Sequence, residues 1–221
     1  MDMELTSQVP LFQQHMVWLK ERTLSQVKCF DAAGSATTIR VLRGIDYVVA
    51  NDRYKRQRDQ NRKRAVINMS FGMPKTRSLN EAVDAAIRAG LVVVAAAGNS
   101  HADACNYSPA SAPQAITVMA SNVNDQFATA FSNFGRCAHI IAPGVAVDST
   151  QAGGGHHALD GTSMAAPHVS GAVAKYLSTF AANAQPTPAQ VKTWLIQAAG
   201  DGTVTNVPNA TPNKLLQYKD C

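Results

Sequence analysis

No stretch of this chain is apolar over the roughly 20 consecutive residues that a membrane-spanning helix needs, so no such helix is expected. The start Met1-Asp2-Met3-Glu4 has neither the basic residues nor the apolar core of a signal peptide, and no compartment is assigned from it. The four cysteines lack the close paired spacing of metal ligands. They point to disulfides in an oxidising compartment and to reduced thiols in the cytosol. Internal repeats are absent. Nothing in the chain implies a cofactor or a metal ion. What is abundant is Ala, Gly and Val, in a chain whose 221 residues suffice to bury one large core.

The net charge of +5 is local. Arg53, Lys55, Arg56, Arg58, Arg62, Lys63 and Arg64 crowd one short stretch. Such a stretch can bind nucleic acid or an anionic surface. No aromatic-basic module accompanies it, so the expectation is a solvated helix extension, with neither nucleic acid nor membrane as partner.

Periodicity gives alternating elements. Leu24 to Phe30 reads as a strand and Thr38 to Ala50, with Ile39, Leu42, Ile45 and Val49 on one face, as a helix. Ala65 to Ser70 reads as a strand, followed by a helix from Leu79 to Ala89 with Ser78-Leu79-Asn80-Glu81 as its capping box and Gly90 as its stop. Strands are predicted at Leu91 to Ala97, Ala115 to Ser121 and Ala138 to Ile141, and a last helix opens at Thr187-Pro188-Ala189-Gln190. This alternation predicts an α/β fold, a largely parallel sheet with helices on both faces.

Two segments carry chemistry. Gly161-Thr162-Ser163-Met164-Ala165-Ala166-Pro167-His168 puts a serine at the start of an apolar, small-residue helix, where unpaired N–H groups and the helix dipole stabilise an oxygen that becomes negative. A lone serine there is ordinarily a helix cap. The second segment, Leu91 to Ser100, is an apolar run ending in Gly98-Asn99, as a buried strand does when its carboxyl end opens on a polar amide. Sites in open α/β sheets lie at the carboxyl ends of strands, and an Asn amide is a donor for a developing oxyanion.

In this order the two segments resemble the subtilisin-like serine proteases, and Asn106-Tyr107-Ser108-Pro109-Ala110-Ser111, Phe131-Ser132-Asn133-Phe134-Gly135 and Ala142-Pro143-Gly144 look most like the proteinase K group. The resemblance runs from about Leu24 to about Leu216. It implies a subtilisin-like fold, with Ser163 as nucleophile and Asn99 and the Ser163 N–H as oxyanion donors. It likewise implies substrate-binding roles for Ser70, Phe71 and Gly72 along the peptide and for Ala96, Ala97 and Gly98 as a wall of the pocket before the scissile bond. A disulfide between Cys105 and Cys137 follows from the same resemblance, leaving Cys29 and Cys221 unpaired. His139 stands where relatives carry a calcium-binding Asp, and neutral imidazole is a poor ligand for a hard cation. Ala36 stands where relatives carry a glycine beside the substrate.

The mechanism also needs a histidine to take the serine proton and a carboxylate to orient it. In the family these lie upstream, in an Asp-Thr-Gly or Asp-Ser-Gly turn and a His-Gly-Thr-His helix start. Neither motif occurs here. Of the six histidines, His168 matches a buried structural residue, His101, His139, His156 and His157 fall in loop-like segments, and His15 lacks the required neighbours. Read back to codons and shifted by two bases, Met1 to Pro10 allow Gly-His-Gly-Thr-His-Val-Ala-Gly-Thr-Ile. The glycines across Met1-Asp2, Met3-Glu4 and Met16-Val17 follow whatever codons are used. Residues 1–23 are therefore expected to be an atypical, out-of-frame segment before a C-terminal peptidase part at 24–221, with an authentic amphipathic helix as the other reading.

The expectation is a serine endopeptidase of this family acting on proteins or peptides, inactive as this chain because its Asp and His segments are missing, monomeric if folded. An intact member is expected to be extracellular. The alternatives are a catalytically dead peptide-binding protein and, more weakly, a polybasic binding module. Loss of the front of the domain should also leave apolar strand edges uncovered, at Val27 or Val92 to Val94.

Overall fold

The computed structural model describes residues 24–31, 33–150 and 154–217. Segment 1–23 with His15, and Cys221, lie outside them. Helices α1 (Thr38–Arg58), α2 (Arg77–Arg88), α3 (Thr162–Ser178) and α4 (Pro188–Ala198) alternate with strands β1 (Val66–Met69), β2 (Met73–Pro74), β3 (Val92–Ala96), β4 (Tyr107–Ser108), β5 (Ile116–Ser121), β6 (Ile140–Pro143), β7 (Val147–Thr150), β8 (His156–Leu159), β9 (Gly200–Asp201) and β10 (Lys214–Leu215). The main sheet runs β1-β3-β5-β6-β10-β9. Its first five strands are parallel and β9 is antiparallel to β10.

Helices cover both faces because the strands are apolar on both. Val92, Val94 and Ala96 of β3 pack with Ala165, Val169 and Val173 of α3 and Val191 and Leu195 of α4. On the other face Val93 and Ala95 meet Val41 and Ile45 of α1 and Leu79, Val83 and Ile87 of α2. Each buried Val, Leu or Ile contributes about 1.5–3 kcal/mol. The small residues of α3 let it approach the sheet closely, which places its first turn at the strand ends.

Helix α1 extends to Arg58, eight residues past the periodic stretch. There Asp52, buried, accepts Arg56 Nε at 2.6 Å and Arg62 Nε at 3.4 Å. Thr187 and Gln190 form a capping box on α4. At α2 the expected box is not used, since the helix starts at Arg77 with Thr76 as its cap residue. Thr76 Oγ1 instead donates to Pro74 O at 2.9 Å, while its N–H is met by Ser108 Oγ at 2.9 Å. The C-terminal stop holds: Gly90 N–H donates to Ile87 O at 2.9 Å and Leu91 N–H to Ala86 O at 3.2 Å.

Two strand expectations are corrected. Residues 24–30 form no strand. A strand exists through its ladder, and among the described residues none pairs with this segment. Side chains hold it instead, with Phe30 against Phe71 at 5.2 Å between ring centroids. Nor is Val92 to Val94 an uncovered edge, because β3 lies between β1 and β5 and is fully buried. Among the described residues the open edge on that side is β1. The antiparallel pair β7-β8 and the two-residue strands were not legible in the sequence.

His139 is neutral and structural. Thr117 N–H donates to its Nδ1 at 3.1 Å, and burial, with Lys192 nearby, lowers its pKa to about 4. Lys192 Nζ donates to Pro113 O and Ala115 O, and burial lowers its own pKa to about 8. The folded histidine thus titrates below the unfolded value, so the unfolded chain takes the proton first. Stability is full above about pH 6.5 and falls toward pH 4, by on the order of 3 kcal/mol from this group. In His139→Asn, which keeps an acceptor for Thr117 but cannot titrate, the fall in Tm between pH 7 and 4 is expected to be shallower; an identical fall would refute this assignment.

Candidate active site

β1 and β3 end side by side, so the loops they feed, Ser70 to Gly72 and Ala97 to Ser100, open at the same end of the sheet as the first turn of α3. At that turn the N–H groups have different fates. Thr162 N–H donates to Asn99 Oδ1 at 2.9 Å, and Met164 and Ala165 N–H donate to Gly161 O at 3.0 and 3.3 Å. Ser163 N–H alone of these has no acceptor among the described residues, as expected of a helix start.

Asn99 is oriented by Thr162. Its Oδ1 also accepts Thr162 Oγ1–H at 2.8 Å, and Thr162 Oγ1 in turn accepts Gly98 N–H at 3.1 Å. With the carbonyl side held twice, Nδ2 is turned toward Gly161. A Cβ at residue 161 would lie 3.2 Å from Asn99 Nδ2 and 3.6 Å from Ser163 N. Both donors therefore border one hollow, and the glycine at 161, with φ of +150°, keeps it open.

Asn133, fully buried, builds the loop beneath. Its Oδ1 accepts Ser100 and Ala102 N–H, each at 3.0 Å, while its Nδ2 donates to Ala97 O at 2.9 Å and its N–H to Gly98 O at 2.9 Å. Gly98, at φ +103°, brings its Cα so close that any side chain would meet Asn133 Nδ2. The sequence reading assigned no such work to Thr162 or Asn133. The signal for Asn133 was the polar pair Ser132-Asn133 set between two phenylalanines, Phe131 and Phe134.

Ser163 Oγ–H donates to Ser70 O at 3.0 Å, and Ser70 Oγ–H returns the bond to Ser163 O at 2.8 Å. Asn68 Nδ2 donates to Ser70 Oγ at 2.8 Å, and Ser170 Oγ donates to Asn68 Oδ1 at 3.0 Å. No described histidine is bonded to Ser163. His168, expected to be buried, is half-buried, with Nδ1 2.8 Å from Met164 O one turn back.

The fold thus brings together Ser163, Asn99, Ser70 and Gly98. Phe71 is half-buried with its ring on Phe30, and Gly72 has open space on its Cβ side. The methyls of Ala96 and Ala97 are packed into the core, one on each face of the sheet. Ala36 packs against the α1–α2 core. Cys105 and Cys137 are bonded, with S–S at 2.07 Å and Cα atoms 5.2 Å apart. Cys29 is a free thiol whose pKa is raised by burial. Among the described residues no group of three or more His, Cys, Asp or Glu could hold a metal, and no helix is long and apolar enough to cross a membrane.

A family model described as the subtilase family matches residues 19–215. Subtilisin-like serine protease Pen ch 18 of Penicillium rubens is 42% identical over 205 residues, covering 89% of this chain and 41% of that protein. Alkaline protease 2 of Aspergillus fumigatus is 40% identical over 210 residues, covering 89% and 42% respectively. The crystal structure of a cold adapted subtilisin-like serine proteinase superposes with a TM-score of 0.76 at 38% identity, over 86% of this chain and 64% of that one. The chain thus spans about two-fifths of the length of the Penicillium and Aspergillus relatives. With its parallel sheet, its Ser163 helix and its Asn99 loop, this chain belongs to the subtilase family of serine proteases.

Proposed function

We propose that this chain carries the nucleophile and oxyanion half of a serine endopeptidase site and is catalytically silent by itself. In this reading Ser163 Oγ is the attacking atom and Asn99 Nδ2 with the Ser163 N–H receives the oxyanion. Convergence of these two donors on the hollow over Gly161 supports that role. The substrates are proteins or peptides, whose backbone runs along Ser70 to Gly72. Residues Ala96 to Gly98 line the pocket before the scissile bond with backbone rather than side chain, a smooth surface suited to a large apolar group. An intact enzyme of this kind acts outside the cell.

The observation that carries the silence is the hydrogen bond of Ser163 Oγ–H to Ser70 O. A backbone carbonyl cannot take up the proton, so the hydroxyl remains a weak nucleophile. Peptide capture without turnover is the same site seen without its base. The polybasic reading has less support, because Arg56 and Arg62 are paired with Asp52 while Lys63 and Arg64 donate to Ser178 O and Gly90 O. The test is covalent labelling with a fluorophosphonate probe: the chain is expected to label no more than its Ser163→Ala variant. Strong labelling at Ser163 would mean that another group supplies the base.

A further inference from the structure

We infer that the turn joining α1 to β1 binds a small tetrahedral oxyanion, inorganic phosphate or sulfate, between the guanidinium groups of Arg56 and Arg64. The inference does not depend on the reading of Ser163. Arg64 lies two residues before β1, at its amino end, whereas Ser70 and Ser163 lie at the carboxyl end. Lys63 Nζ donates to Ser178 O in the last turn of α3, about 22 Å along the helix from Ser163 at 1.5 Å per residue.

Two buried donors in this turn have no acceptor: Arg56 Nη2 and Arg64 Nε. Their guanidinium groups are otherwise fixed. Arg56 Nε is held by Asp52 Oδ2 and Arg64 Nη1 by Gly90 O, and the Arg64 backbone N–H donates to Gln185 Oε1 at 3.3 Å. A buried N–H left unpaired costs about 1–3 kcal/mol, more when it is charged. From the last turn of α1 to the start of β1 the chain carries Arg56, Arg62, Lys63 and Arg64, and the buried carboxylate Asp52 pairs with two of them, Arg56 and Arg62. Burial chiefly, and then the repelling charge of Arg56, lowers the Arg64 pKa, with Asp52 opposing the shift only in part.

A water molecule at the two donors would supply acceptors but leave the repulsion. An oxyanion supplies both acceptors and opposite charge, and planar guanidinium forks match its geometry. The two donor atoms are themselves buried, while the Arg56 side chain that carries one of them is 31% exposed, so an anion would enter past the rim of Arg56.

The experiment titrates the full chain with sodium phosphate, and separately sulfate, at an ionic strength held constant with sodium chloride. A saturable rise in Tm is expected for the oxyanions and not for chloride. Arg56→Lys keeps the charge but loses the fork, and should weaken half-saturation at least about tenfold. Arg53→Gln, exposed on the same helix, should leave it unchanged. Broadening of the 31P line of inorganic phosphate by the wild-type chain, absent with Arg64→Lys, is a second readout that needs no melting transition. Equal Tm rises in chloride, equal effects of Arg56→Lys and Arg53→Gln, or no 31P broadening would each overturn the inference.

Discussion

Joined to an upstream segment bearing an Asp-Thr-Gly or Asp-Ser-Gly turn and a His-Gly-Thr-His helix start, this chain is expected to hydrolyse peptides about a million-fold faster than alone, the cost of triad loss known from subtilisin. The gain comes from proton transfer. Ser163 Oγ–H now donates to Ser70 O, and the added imidazole would replace that carbonyl with a group that accepts the proton and later returns it to the leaving amine. The proposed oxyanion half would need no rebuilding, since Thr162 and Gly161 already set Asn99 Nδ2 and the Ser163 N–H around one hollow. Within the completed enzyme Asn99→Ala should lower kcat by roughly 100- to 1,000-fold with little change in KM, because the oxyanion exists only along the reaction path. An effect confined to KM would mean that Asn99 binds substrate and not the oxyanion.

Asn133→Ala is expected to destabilise the chain by about 2–4 kcal/mol, since it strands one buried carbonyl and removes the acceptor of two part-buried N–H groups, a fully buried orphan costing roughly 1–3 kcal/mol. Those groups are the N–H groups of Ser100 and Ala102 and the carbonyl of Ala97. All three belong to the loop that carries Asn99, so the completed enzyme should also lose activity in this variant. The conservative Asn133→Asp keeps the two N–H acceptors but turns the donor to Ala97 O into a repelling oxygen, and should recover only part of the stability. Equilibrium denaturation measures both variants. A loss below about 1 kcal/mol for Asn133→Ala would show that the loop is held by its backbone alone.

Much of the fold was legible because the parallel strands are apolar on both faces and the helices carry their own punctuation. Leu91 to Ala97 could only be a buried strand, and Thr187-Pro188-Ala189-Gln190 closes its capping box on itself. Such signals are local, contained within a few residues. Residues 24–30 failed for the converse reason: apolar alternation states a capacity to pair, and the pairing depends on a neighbour that the segment does not encode. At Ser78 the local capping signal was overridden because Ser108 from β4 meets the Thr76 N–H and fixes the helix start one residue before Ser78.

By itself the sequence determined the chemistry available at the site: a serine opening an apolar helix, an amide ending a buried strand, and no histidine in the pattern that a proton acceptor requires. It also determined, through the glycines at 98 and 161, where the backbone could come close. Only the tertiary structure decided how these groups are aimed. Thr162 turns the Asn99 amide, Asn133 braces the loop beneath it, and the Ser163 hydroxyl is directed at Ser70 O. Each of these bonds joins residues 30 or more apart in the chain, and hydrogen bonds act over about 3 Å in defined directions, so they exist only once packing has brought strands and helices together.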